Sequence, residues 1–279
     1  MRAPVSVIIP CYRCAGTIDR VVESVVCQTS PPEEILLVED GSDDGEETLA
    51  SLYRVQQKHQ GKTSIRVIPL SENSGPSGAR NAGWEVATQP YLAFLDADDS
   101  WHPQKLEIQY QWMAAHPEVM LTAHQSVWIR QGNISPDLPS TIQARAIGRV
   151  QLLMSNCFPT RSIMLRHSIA YRFDPTRRYA EDYLLWLKIV LNGESAWLLG
   201  APLAYSYNAD FGGVGLSGEL WKMEKGELGV YQQLYLCRLI SGLALAGLML
   251  LSLVKFLRRV VVRGGLRKSD SVLRCTATH

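Results

Sequence analysis

Four short apolar runs, residues 5–9, 35–38, 65–68 and 91–95, are each followed by a polar or glycine-containing loop and then by a stretch of helical periodicity, residues 17–28, 46–59, 78–88 and 103–115. Alternation of this kind predicts a parallel sheet wrapped by helices, since each parallel strand needs a crossover before the next. Thr17 stands where a helix cap is expected, and Pro103 suits a first helical turn. From residue 119 the pattern changes to longer strand-like segments at 119–129, 162–166 and 196–207, with one clear helix at 181–192 closed by Gly193. The expectation is one α/β body, Rossmann-like, with a mixed but mainly parallel sheet flanked by helices. No internal repeat or low-complexity segment interrupts it.

Charge divides the chain differently. Its formal charge of +1 argues against a broadly basic nucleic-acid binder. Residues 255–279, however, hold seven Lys or Arg against one acid, so this tail carries a net +6 and the remainder −5. Ahead of the tail lie sixteen uncharged residues, 239–254, bounded by Arg238 and Lys255. As a helix that segment is roughly 24 Å long, short of the roughly 30 Å of a hydrocarbon core. Apolar all round, and followed by charges that an anionic leaflet attracts, it reads as a membrane-associated helix, re-entrant or interfacial in preference to a full span. Residues 1–229 are then a catalytic body with halves 1–118 and 119–229, and residues 230–279 an apolar helix with a basic tail. Trp221 suits an interfacial anchor. Six scattered cysteines form no disulfide framework, and the apolar N-terminal run is too short for a signal-peptide core, so a cytosolic body is expected.

In open α/β sheets ligands sit outside the carboxyl ends of the strands. By that rule loops 10–16, 39–45, 71–77 and 96–100 converge on one crevice. Two carry carboxylates directly after the strand, Glu39 and Asp40, then Asp96, Asp98 and Asp99; the third leads to Arg80 at a helix start. Several acids and one arginine suit a metal-bound diphosphate, in which carboxylates hold a hard divalent ion that neutralises phosphate oxygens.

Val5-Ser6-Val7-Ile8-Ile9-Pro10-Cys11-Tyr12, Leu37-Val38-Glu39-Asp40-Gly41-Ser42-Asp43-Asp44-Gly45, Gly78-Ala79-Arg80-Asn81-Ala82-Gly83 and Phe94-Leu95-Asp96-Ala97-Asp98-Asp99, in this order and spacing, resemble the family 2 inverting glycosyltransferases of the GT-A fold. The resemblance covers about residues 4–207. It implies a nucleotide-sugar donor, usually a UDP-sugar, and a divalent metal, Mg²⁺ or Mn²⁺. Matched residue by residue, it gives Pro10, Tyr12 and Asp40 as base and ribose contacts, Arg80 as a further nucleotide contact, Asp96 leaning to the ribose and Asp98 binding the metal, with Asp99 assisting. Glu39 belongs to the same nucleotide loop but stands where Asp is common, and Arg13 where a small polar residue is common.

Tyr179-Ala180-Glu181-Asp182-Tyr183-Leu184-Leu185-Trp186 resembles the family's Glu-Asp motif, which implies Asp182 as the base that deprotonates the acceptor, with Glu181 orienting its neighbour or a loop. A carboxylate in a first helical turn is expected to be stabilised as the anion. Asn156-Cys157-Phe158-Pro159-Thr160 resembles the segment lining the acceptor side; turn-forming residues explain it equally well. Cys11 and Cys14 are not expected to bind metal or act in redox chemistry, and His102, His116 and His124 read as surface or turn residues. Trp84, Trp112, Trp186 and Trp197 read as core. The processive members' Gln-x-x-Arg-Trp motif is absent, so transfer of a single sugar to a lipid-linked or cell-envelope glycan in a bacterium is expected, at the cytoplasmic face of the inner membrane. A sugar nucleotidyltransferase and a non-catalytic membrane-bound nucleotide-sugar-binding partner remain the alternatives. Which sugar and acceptor are used, and the oligomeric state, are not encoded in these motifs.

Overall fold

The computed structural model describes residues 1–129, 137–207 and 220–275, with side chains as far as Val261. These residues form one nine-stranded sheet. Its parallel part runs in the order β3 (Ser64–Pro69), β2 (Pro32–Glu39), β1 (Ala3–Cys11), β4 (Tyr91–Phe94). The intervening helices are α1 (Ile18–Val26), α2 (Glu47–Lys58) and α3 (Gly75–Glu85). Beyond β4 the sheet turns mixed. The short β8 (Met164–Arg166) pairs antiparallel with β4 on one side and with β6 (Val119–Trp128) on the other. A long β9 (Ser195–Ser206) lies parallel to β6, and β5 (Ser100–Trp101) and β7 (Ala144–Ala146) both pair antiparallel with it.

Both sheet faces are covered, which explains why the first strands read as unbroken apolar runs. Ile8 points into one core with Trp84, Phe94 and Trp186, whereas Val5, Val7 and Ile9 point into the other with Val21, Val22 and Leu52. Helices α4 (Lys105–Ala115), α5 (Arg149–Met154) and α6 (Glu181–Leu191) complete the body.

Several expectations change. The Thr17 hydroxyl does not cap α1; it donates to the Ala97 carbonyl at 2.6 Å, across the carboxyl edge of the sheet. Pro103 precedes the first turn of α4. His124 is fully buried on β6, and burial pushes its imidazole pKa well down. Trp112 and Trp197 are only partly buried and pack with His116, while Trp84 and Trp186 are core.

The C-terminal segment is not apolar all round. Helix α7 (Leu220–Leu236) buries Val230, Tyr231 and Leu234 against the body and runs through residue 229 without a break. After a left-handed residue at Arg238, φ 58°, α8 (Gly242–Cys275) folds back along it. One face of α8 is fixed to the body: Leu248 and Ser252 are buried, the Ser252 hydroxyl donates to Glu224 at 2.7 Å, and Arg259 pairs with Glu224 at 2.8 Å. The other face exposes Leu243, Leu250, Leu253, Val254, Leu257 and Val261. Among the described residues no helix is long and apolar enough to cross a membrane. The side chains of residues 262–275, and all of residues 276–279, lie outside the description, and with them most of the basic tail.

Candidate active site

The carboxyl ends of β1, β2 and β4 open on one crevice, and the sequence-predicted residues occupy it in different ways. Pro10 closes β1 opposite Val38. Tyr12 follows it with an exposed ring whose hydroxyl donates to Asp43 at 2.8 Å. Arg13, in the left-handed region at φ 49°, donates from Nε to the same carboxylate at 2.5 Å. Arg13 thus braces the loop that carries the aromatic ring. Glu39 turns back on its own loop and accepts from the amides of Gly41 at 3.2 Å and Ser42 at 2.6 Å. Asp40 is buried and accepts from the Ser74 amide at 2.8 Å and hydroxyl at 2.9 Å, so a carboxylate from β2 satisfies orphan donors at the start of α3. Burial holds its pKa above the ordinary carboxylate value. Gly41, at φ 59°, lets that loop pass the chain at Glu72 and Asn73, where a Cβ would stand 2.6 Å from backbone.

The Asp96-Ala97-Asp98-Asp99 loop is held through its backbone. Thr17 bonds the Ala97 carbonyl, and Arg20 donates to the Asp98 carbonyl at 2.7 Å, which leaves the Asp98 carboxylate out of those bonds. Asp99 is buried beside Arg161 at 3.3 Å, and burial pushes its pKa up to about 7. Among the described residues no group of three or more His, Cys, Asp or Glu side chains is placed to hold a metal ion. Mg²⁺ and Mn²⁺ on phosphates do not need such a cage, since one or two carboxylates, phosphate oxygens and water suffice. A partly exposed Asp98 at the crevice fits that limited role. Cys11 and Cys14 are buried, and burial raises the Cys11 thiol pKa, the reverse of a reactive or metal-binding cysteine.

The junction between the two halves forms around α3. Arg80, 5% exposed, donates to Asp96 at 2.7 Å and to Glu181 at 3.1 Å. Its guanidinium therefore joins the first acid of the Asp-Ala-Asp motif to the first residue of α6. Its neighbour Asn81 uses both ends of its amide on the backbone of Phe173, at 2.9 and 3.2 Å, and the Ser77 hydroxyl donates to the Arg177 carbonyl at 3.2 Å. Sequence reasoning missed the roles of Ser77 and Asn81, because their partners lie 100 and 92 residues away.

Asp182 sits one residue beyond Glu181. It accepts from the Tyr183 amide at 2.6 Å and from the Thr160 hydroxyl at 3.0 Å. The helix start was expected to favour its anion, but burial outweighs that effect and Asp96 adds to it, so the pKa is raised in spite of Arg80, Tyr183 and Thr160. Glu181 is pushed up to about 7 by burial first and by Asp182 second, with Arg80 opposing. Chemically, this is a buried carboxylate of raised basicity linked through an ion-paired arginine to a carboxylate loop beside a nucleotide-sized crevice.

A family model described as Glycosyl transferase family 2 matches residues 6–179. The chain belongs to that family. Among its relatives is the Bacillus subtilis glycosyltransferase TuaG, named for teichuronic acid biosynthesis, 30% identical over 232 residues that cover 82% of this chain and 88% of TuaG. Another is the Escherichia coli UDP-Glc:alpha-D-GlcNAc-diphosphoundecaprenol beta-1,3-glucosyltransferase WfgD, 27% identical over 67% of this chain and 69% of its own. The mannosyltransferase PcManGT of Pyrobaculum calidifontis, solved with GDP-Man and Mn²⁺, superposes with a TM-score of 0.66 over 98% of this chain and 81% of that one, at 16% identity. As a family 2 glycosyltransferase the chain acts on nucleotide sugars and has a GT-A-like mixed sheet flanked by helices. Membership removes the nucleotidyltransferase alternative. It also gives α3 of this glycosyltransferase a second task, since the Gly-Ala-Arg-Asn stretch that starts it braces the chain leading to the Glu-Asp pair.

Proposed function

We propose that this glycosyltransferase moves a single sugar from a UDP-sugar to a lipid-linked or cell-envelope glycan with inversion, Asp182 acting as the base. The observation that carries this reading is the Arg80 bridge, which ties Asp96 of the donor loop to Glu181, the residue before Asp182. Donor support and proton acceptor are thereby held by one buried cation.

In the reaction Asp182 takes the proton of the acceptor hydroxyl. The freed electron pair forms a bond to the anomeric carbon as the bond from that carbon to the diphosphate oxygen breaks on the opposite face. No side chain becomes covalently attached, so inversion follows from the single displacement. A raised pKa suits Asp182, because a general base works best with a pKa near the operating pH. Tyr12, Asp40 and Pro10 line the nucleoside end, and the fixed loops supply orientation. A divalent cation held at Asp98 would supply charge neutralisation on the leaving diphosphate. WfgD's named donor and acceptor, the name of TuaG and the Mn²⁺ in PcManGT support these assignments.

The deciding experiment follows release of nucleoside diphosphate from a panel of nucleotide sugars, with Mn²⁺, Mg²⁺ or chelator, in wild type and Asp98→Ala. A UDP-sugar is expected to be turned over with metal, and both chelation and Asp98→Ala are expected to reduce turnover at least tenfold. Equal turnover with chelator sinks the metal assignment, and no turnover with any donor and acceptor favours the non-catalytic partner.

Placement at the cytoplasmic face of a bacterial inner membrane belongs to the same proposal. It is supported by the exposed apolar stripe of α8, with the exposed cations Arg238 and Arg258 on the same helical hairpin, while the opposite face of α8 is bonded to the body. Such a helix lies in the interface plane. Leu250→Glu with Leu257→Glu is expected to abolish co-sedimentation with anionic vesicles and to leave turnover of a soluble acceptor within about twofold, since these side chains point away from the body. Undiminished sedimentation of the double variant overturns the interfacial placement.

A further inference from the structure

Helix α7 carries two glycines in its middle, Gly226 and Gly229. Each costs a helix interior about 1 kcal/mol relative to alanine, and a spacing of three puts both on one face. That face is pressed against the chain that leads to Asp182. A Cβ on Gly226 would stand 2.8 Å from Tyr179 Cβ, 3.0 Å from its carbonyl oxygen and 3.1 Å from its carbonyl carbon. Two of those atoms are backbone, which cannot swing aside. A Cβ on Gly229 would meet the Arg177 guanidinium at 3.2 Å.

Arg177 fastens the contact. It donates to the carbonyls of Gly229 at 2.7 Å and Gly226 at 3.4 Å and from Nε to Gln233 at 2.9 Å, while the Gln233 amide donates to Asp174 at 3.1 Å. Immediately beyond this clamp comes Ala180 in the left-handed region at φ 56°, and then Glu181 and Asp182 open α6. A residue with a Cβ persists there only where its surroundings over-determine it, and such strain gathers at functional sites.

We propose that the glycine face of α7 is the seat of the base: Gly226 and Arg177 are positioning residues that hold the strained turn so that the Asp182 carboxylate meets the acceptor hydroxyl. The proposal rests on Asp182 being the base. It makes α7 part of the reaction machinery, although the helix lies beyond the family match and supplies no group to the crevice.

The test compares Gly226→Ala and Arg177→Lys with a control, Gly247→Ala on α8, where a Cβ would meet nothing within 4 Å. Melting temperature, calorimetric donor affinity, and kcat and KM are measured on the full chain. A misplacement of about 1 Å can cost a reaction roughly 100-fold. Gly226→Ala is therefore expected to fold, to bind donor within about twofold of wild type, and to lose at least tenfold in kcat with donor KM little changed, with Arg177→Lys showing the same split more weakly and Gly247→Ala unaffected. A lowered melting temperature with unchanged kcat assigns the glycines to stability alone and overturns the proposal, as does a parallel loss of donor affinity. If Gly226→Ala does not fold, Arg177→Lys decides by the same split. Asp182→Asn in the same assays separates the two ideas. Full activity of Asp182→Asn removes the base, whereas an inactive Asp182→Asn beside a fully active Gly226→Ala removes only the seat.

Discussion

Asp182→Asn is expected to lower kcat by roughly 100- to 10,000-fold, the range of a lost general base, with donor affinity unchanged. The substitution keeps the size of the side chain and an oxygen that can accept from Thr160 and the Tyr183 amide, so the start of α6 is preserved. What it removes is the capacity to take a proton. The pH profile provides the second check. Because the base must be ionised, activity falls as pH drops through its pKa, and that pKa lies above the ordinary value. The Thr160 hydroxyl bond lowers it, so Thr160→Val raises it further and moves the acid limb of kcat/KM to higher pH. An acid limb unmoved in Thr160→Val, or wild-type kcat in Asp182→Asn, would place the proton acceptor elsewhere.

Removing the Arg80 guanidinium, as in Arg80→Met, is expected to destabilise the protein by about 3–5 kcal/mol, the range found when one member of a buried ion pair is deleted. Asp96 and Glu181 would be left facing each other's charge without the cation between them. The sign of the pH dependence follows from Glu181. Its pKa is already above the ordinary 4.5, at about 7, and Arg80 acts to lower it. Without Arg80 it rises further, so the folded variant favours the protonated acid, and its deficit grows as pH climbs above the unfolded pKa. Denaturant melts at about pH 5 and about pH 8 should show the smaller loss at the lower pH. Arg80 also lowers the Asp182 pKa, so the acid limb of residual activity should shift upward. A loss of equal size at both pH values would mean that Arg80 contributes packing and not charge.

How much of this was legible in the sequence depends on contact distance along the chain. The first four strands and helices were readable because their signals are local, apolar runs and helical periodicity, and each falls within a few residues of the observed element. The crevice was readable for the same reason, since carboxylates directly after a strand have nowhere else to go. Strands β5 and β7 carry no such signal. They are two and three residues long and exist because β9, about a hundred or fifty residues further on, offers them an edge. Thr17 shows the limit most plainly: as a local residue it is a helix cap, but its hydroxyl is taken by a carbonyl 80 residues away. Arg80 was read as a contact to the nucleotide, and what the sequence could not convey is that two of its nitrogens are held by Asp96 and by a glutamate 101 residues later. Lys105 and His124 were hidden for a related reason. Nothing in their neighbours foretells that packing of α4 on the sheet leaves both fully buried.

The short strand β8 lies between β4 and β6, so the carboxylate-bearing half and the half that carries the Glu-Asp pair share one continuous ladder. Cutting the chain after the first half would strip that cover from β4, all four of whose residues are buried. The bared margin would be a flat hydrophobic strand edge of the kind that recruits other chains. A minimal fragment comprising only the nucleotide-binding half is thus a template for aggregation, and diversification within this architecture has to proceed through the loops and surface helices, with the ladder left whole.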